Sequence, residues 1–173
     1  SEEGDATIGY DLTFGPDTYT NAWDNPGGYA DPLTAVRGTN DGLYLFRERI
    51  SVAILGAMGP DFQTAGTRAN LSAEIGTLSP FAVIEVTMGV IIIDADAQPW
   101  LMKIGALAPM PLWKDCQIIL QDVPRLSLPN AITIYSESDG VVLIGLAAVG
   151  FLNPSKWLTF HADDLQYNGP WTG

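Results

Sequence analysis

From Phe81 to Phe160 the chain is a succession of short apolar runs rich in β-branched residues, each closed by Gly, Pro, Asn or Asp. Nowhere does a 3.6-residue apolar period persist long enough for an amphipathic helix. This punctuation confines the body to strands and turns. The runs are residues 83–93, 100–107, 117–121, 131–136, 141–151 and 157–160. Asp139-Gly140 supplies the positive-φ positions of a tight hairpin turn, and Asn153-Pro154-Ser155 is a second break. Residues 7–14 alternate apolar and polar, placing Ile8, Tyr10, Leu12 and Phe14 on one strand face. Residues 43–57 fit either period. A helix would run through Leu43, Phe46, Ile50 and Ile54, but β-branched content and flanking glycines favour a strand. Residues 59–72 read as a polar loop opened by Gly59-Pro60-Asp61. The expectation is all-β: one domain over residues 1–173, with about eight antiparallel strands in a jelly-roll sandwich or barrel.

Composition shapes the surface. Charged residues make up 16% of the chain and hydrophobic ones 47%, against about 25% charged in an ordinary globular domain. Residues 90–93 and 141–149 are apolar at nearly every position, so both faces of those strands must be covered. No helix is legible to cover them, which points to neighbouring subunits. The formal charge is −12, from 20 acids and 8 bases. That sign disfavours direct nucleic-acid binding and docking on an anionic membrane face. Cys116 is the only cysteine, so no disulfide closes within the chain, and it reads as a small buried hydrophobe. Ser1-Glu2-Glu3-Gly4 does not read as a secretory signal. The longest apolar run, residues 140–152, is too short for a transmembrane helix, which takes about 20 residues.

Residues 15–42 differ in character. They are rich in Gly, Pro and Asp, with Tyr19, Trp23 and Tyr29 among them. A long connection with aromatics is more often interfacial than a free linker, so the segment reads as an extended arm. Residues 167–173 form a short aromatic tail.

No catalytic motif stands out. Asp94-Ala95-Asp96 has the form of a short metal signature, but it ends a strand where Asp is a common turn residue. His161 beside Asp163 and Asp164 is the only histidine, which excludes a multi-histidine metal centre, and no nucleophile elbow exists for a triad. Glu48 and Glu85 are the glutamates inside expected strands, the minimum for a paired-carboxylate hydrolase. No glycine-rich phosphate loop follows a strand. The tryptophans at positions 23, 100, 113, 157 and 171, with Tyr19 and Tyr29, could stack on sugars, and Asp-rich loops could hold calcium. Packing in cores and interfaces is their commoner use.

The alternating first strand, the Gly/Pro/Asp/Trp arm, the strand-only body and the aromatic tail together resemble a single jelly-roll major capsid protein. The likeness is to tailless icosahedral viruses with an internal membrane, known from thermophilic bacteria and haloarchaea. This resemblance implies a virion structural protein with no catalytic site, no metal and no cofactor. It further implies dimeric building blocks, a second related capsid subunit, and an internal membrane nearby without a membrane-spanning segment of its own. The residues expected to carry assembly are Phe14, Trp23, Tyr29 and Trp171, with residues 7–14 as a strand that exchanges between copies. The alternative is a lectin-like carbohydrate-binding module using exposed Trp and Tyr.

Overall fold

The computed structural model describes residues 32–55 and 67–170. Within them the chain is all-β: twelve strands form three four-stranded antiparallel sheets. The first sheet runs β1 (Leu33–Thr39), β2 (Gly42–Arg47), β3 (Ser51–Leu55), β4 (Thr67–Ser72). The middle sheet runs β5 (Val83–Val86), β6 (Gly89–Ile93), β7 (Pro99–Met102), β8 (Met110–Pro111). The third contains β9 (Ile132–Ser136), β10 (Val141–Leu146), β11 (Lys156–His161) and β12 (Tyr167–Pro170). Between the middle and third sheets lie a 3-10 turn (Lys114–Cys116), the single-turn helix α1 (Gln117–Leu120) and a 3-10 helix (Arg125–Asn130).

Several expectations are corrected here. Residues 43–55 are not one strand but part of the β2–β3 hairpin, turned at Glu48 and Arg49 where Arg47 N donates to Ile50 O at 2.9 Å, and residues 56 and 57 of the expected strand lie outside the described residues. Residues 83–93 are likewise a hairpin, closed by Thr87 and Met88. Neither of those two is a customary turn residue, so the apolar pattern hides the break. Residues 33–39, expected in the arm, form β1. Residues 67–72, expected in a loop, form β4, and 117–121 turn as helix rather than strand. The expected tail contributes β12. The strand count is therefore twelve among the described residues, not eight. Each sheet is built from four strands consecutive in the chain, so short hairpin connections shape the sheets. Residues 7–14 lie outside the described residues.

The core covers both faces of residues 90–93 without a neighbour, while Val141 and Leu143 of β10 remain half-buried. In β6, residues Val90 to Ile93 are at most 1% exposed. Val90 and Ile92 face Tyr44, Phe46 and Ala53 of the first sheet, together with Val83 and Met102. Ile91 and Ile93 face Val142, Ile144, Leu146, Leu158 and Phe160 of the third sheet. The middle sheet thus packs one face on each of the others. The inference that residues 90–93 need a partner subunit is overturned by this arrangement.

The crossing from β4 to the middle sheet passes tightly over the β2–β3 turn. A Cβ on Gly76 would overlap the Arg47 carbonyl oxygen and crowd the Glu48–Arg49 peptide, while Thr77 N donates to Arg47 O at 2.8 Å. Gly76→Ala is expected to cost about 3 kcal/mol, since backbone and not a pliant side chain must yield; chemical denaturation reads it. A second prediction concerns Tyr167, whose ring packs on Phe160 at 5.6 Å. Its hydroxyl is buried without a hydrogen-bond partner. Tyr167→Phe removes an unpaired polar atom, so its melting temperature should equal or exceed that of the parent.

Candidate functional site

The acidic loop between β6 and β7 is a clasp. Asp94 is buried, and its Oδ1 accepts from Asp96 N and Gln98 N, each at 2.8 Å. Its Oδ2 accepts from the Trp100 indole N–H at 2.7 Å. Burial pushes the Asp94 carboxyl above its ordinary range, and these donors oppose the shift. Asp96 faces outward to Arg49, with Nη1 to Oδ2 at 3.5 Å. Arg125 donates to the Ala95 carbonyl at 3.4 Å and pairs with Glu48. The first sheet's hairpin, the middle sheet's loop and the 3-10 helix are joined at this point. The Asp94 carboxylate is already filled by three protein donors, so the arrangement holds a turn rather than a cation.

The other candidates disperse. His161 is exposed at the end of β11. The turn after it is closed by His161 N to Gln166 O at 3.0 Å and by Gln166 N to Asp164 Oδ1 at 3.0 Å. Among the described residues no three His, Cys, Asp or Glu side chains gather to hold a metal. Glu48 lies in the β2–β3 turn rather than in a strand, held by Arg125. Glu85 lies on β5 opposite Val90, on the face toward the first sheet and near Tyr44. The two glutamates are thus given separate surroundings. Cys116 is 1% exposed, and burial pushes its thiol up to about 11. That makes it a core residue rather than a nucleophile.

Phe14, Trp23, Tyr29 and Trp171 lie outside the described residues. Three tryptophans are described, and none is an open platform. Trp100 is bonded to Asp94, and Trp113 meets it edge-on at 6.4 Å. Trp157 sits over Gly145, where an added Cβ would come within 2.9 Å of its ring. On the outer face of the third sheet is a shallow groove of about 480 Å³, which Trp157 does not line. It is lined by the apolar Val141, Leu143 and Pro170 and the polar Ser136, Asp139, Thr159 and Asn168.

Sequence reasoning missed an apolar surface at one end of the third sheet. The 3-10 helix Arg125–Asn130 lies against the β10–β11 loop, joined by Ser127 Oγ to Ala147 O at 3.0 Å and Asn130 Nδ2 to Leu152 O at 3.1 Å. Leu126 is 94% exposed, Val149 69%, Phe151 59% and Leu152 82%. A signal was present: residues 126–136 and 140–155 contain no Asp, Glu, Lys or Arg. Their hydrophobicity instead reads as strand interior.

No protein-family model matches the chain, and no curated protein is significantly similar to it. The fold, its surfaces and the resemblance read in the sequence therefore carry the functional argument.

The Asp94 clasp makes a pH-dependent prediction. A carboxyl raised in the folded state takes up its proton first as pH falls. Its contribution to stability is thus greatest below the ordinary carboxylate range, and is lost as pH rises through the folded value. Trp100→Phe deletes a donor to the charged form and moves the carboxyl further up. The variant should lose about 1–3 kcal/mol at pH 7 from the unpaired oxygen, and less at pH 4. Urea unfolding at both pH values measures the difference.

Proposed function

We propose that this protein is a structural shell subunit, a capsid protein that assembles through its terminal segments and apolar surfaces and performs no catalysis. The observation that carries the reading is the exposed apolar end of the third sheet. The body buries both faces of its middle sheet internally, yet leaves Leu126, Val149, Phe151 and Leu152 in water. Contiguous apolar patches on soluble proteins mark interaction surfaces. The low charge content is consistent with a molecule that spends its working life among neighbours.

The resemblance to internal-membrane virus capsid proteins enters this reading for function and layout. The eight-strand, two-sheet jelly roll is not part of it, because the described residues form three meandering sheets. Virion location, a second capsid subunit and the assembly roles of Phe14, Trp23, Tyr29 and Trp171 belong to the proposal. Among the described residues no helix is long and apolar enough to cross a membrane. A carbohydrate-binding reading keeps one feature, the groove on the outer face of the third sheet, whose lining mixes four polar side chains with three apolar ones and includes no aromatic ring.

Light scattering coupled to size-exclusion chromatography, over a concentration series of the full chain, tests the proposal. A discrete multimer, with closed particles by electron microscopy at higher concentration, is the expected outcome. A monomer of 18.6 kDa at every concentration would remove the basis for a shell. Calorimetric titration with neutral oligosaccharides would then be the decisive measurement.

A further inference from the structure

We infer that the uncharged end of the third sheet is a two-fold contact, the surface through which one copy of this chain meets a second copy. This rests on the shell-subunit reading and assigns its first contact. The surface is built and held. Phe151 N donates to Ala148 O at 3.1 Å, and Gly150 takes φ +86°, the left-handed third position of a tight turn. Val149 is thereby placed at the tip, with Phe151 and Leu152 directly after it. Ser155 closes the loop base, its N–H donating to Leu146 O at 2.9 Å and its hydroxyl accepting from Ala148 N at 3.0 Å. Asn130 and Ser127 fasten the neighbouring 3-10 helix that displays Leu126. Apolar groups held in place lose little conformational freedom on association.

The occupant follows from charge. Copies of a chain of net charge −12 repel one another. In a two-fold contact each residue can meet its own counterpart, so any net charge in the patch is met by like charge. The stretches 126–136 and 140–155 hold no charged residue of either sign, so two copies can meet there without acid opposing acid. A basic partner would be matched by carboxylates, and this surface has none. A lipid headgroup layer would be approached by free basic side chains flanking the apolar tip; the two that border it, Arg125 and Lys156, are held in ion pairs with Glu48 and Asp122. The four exposed side chains form the apolar centre. The uncharged and exposed Pro129, Asn130 and Asn153 lie next to them in the same two segments.

The test uses two full-length double variants, Val149→Asp/Leu152→Asp and Val149→Lys/Leu152→Lys, with Leu107→Asp as an exposed control away from the patch. All the positions stand in water, so folding should survive and is verified by thermal melting. Sedimentation velocity should show each double variant dissociating at concentrations at least tenfold above the parent. The Leu107→Asp control should match the parent. An equimolar mixture of the Asp and Lys variants should re-form a dimer, because opposite charges now meet across the two-fold. Double variants that keep the parent's multimeric mass would overturn this contact and leave the shell reading standing. A monomeric parent would overturn both. Variants that keep their mass but lose flotation with phosphatidylcholine vesicles would assign the surface to lipid instead.

Discussion

The arrangement depends on β6. Its four consecutive residues Val90 to Ile93 are fully buried, alternately against the first and third sheets, each worth about 1.5–3 kcal/mol in water removed from apolar surface. A strand with one wet face is held in register by polarity, since a slip of one residue drives polar groups inward. β6 has no such restraint, because either face could be either. Its register must come from its ends. At one end is the two-residue turn of Thr87 and Met88; at the other is Asp94, whose carboxylate gathers Asp96, Gln98 and Trp100. The buried acid is therefore less a chemical group than a register stop. Its burial is the cost of fixing an otherwise unspecified strand.

The same principle accounts for how the three sheets hold together. The first and third sheets pack mainly through the middle one, and polar links reinforce the seams at their ends. Arg125 and Arg49 join three elements around Glu48 and Asp96. Lys156 of β11 reaches Ile119 O at 3.0 Å and Asp122 at 3.2 Å. Exposed ion pairs of this kind add little stability individually. Their geometry matters more, because each fixes one layer relative to the next where apolar contact alone would tolerate sliding.

Much of the third sheet was legible in the sequence. β9 and β10 fall within expected runs, β11 extends the expected run 157–160 by one residue at each end, and Asp139-Gly140 marks the first turn, with Gly140 at φ +61°. The middle sheet was legible as apolar but not as a hairpin, because Thr87-Met88 carries no turn signature. β1 was hidden by the Gly- and Pro-rich residues before it, although Ala35 and Val36 sit at strand positions. The deeper error concerned coverage. A strand apolar on both faces reports that it is covered, and says nothing of whether its own chain or a neighbour does so. Two sheets are needed to bury a third, and pattern reasoning along one strand cannot count sheets. The apolar end surface failed for the converse reason: Val149, Phe151 and Leu152 continue the hydrophobic run of β10 without a break in composition, and only the turn at Gly150 puts them outside.

Charge is segregated along this chain, and segregation bears on how association stops. Residues 1–31 contain seven acids and no base. Residues 126–136 and 140–155 contain neither acids nor bases, while four of the five arginines fall between residues 37 and 68. A uniformly apolar surface would aggregate without limit. A molecule of net negative charge with an uncharged surface at one end can meet a copy there without acid opposing acid. Such a contact is self-complementary and closes on itself, whereas a contact between two different surfaces propagates unless rotation brings it round.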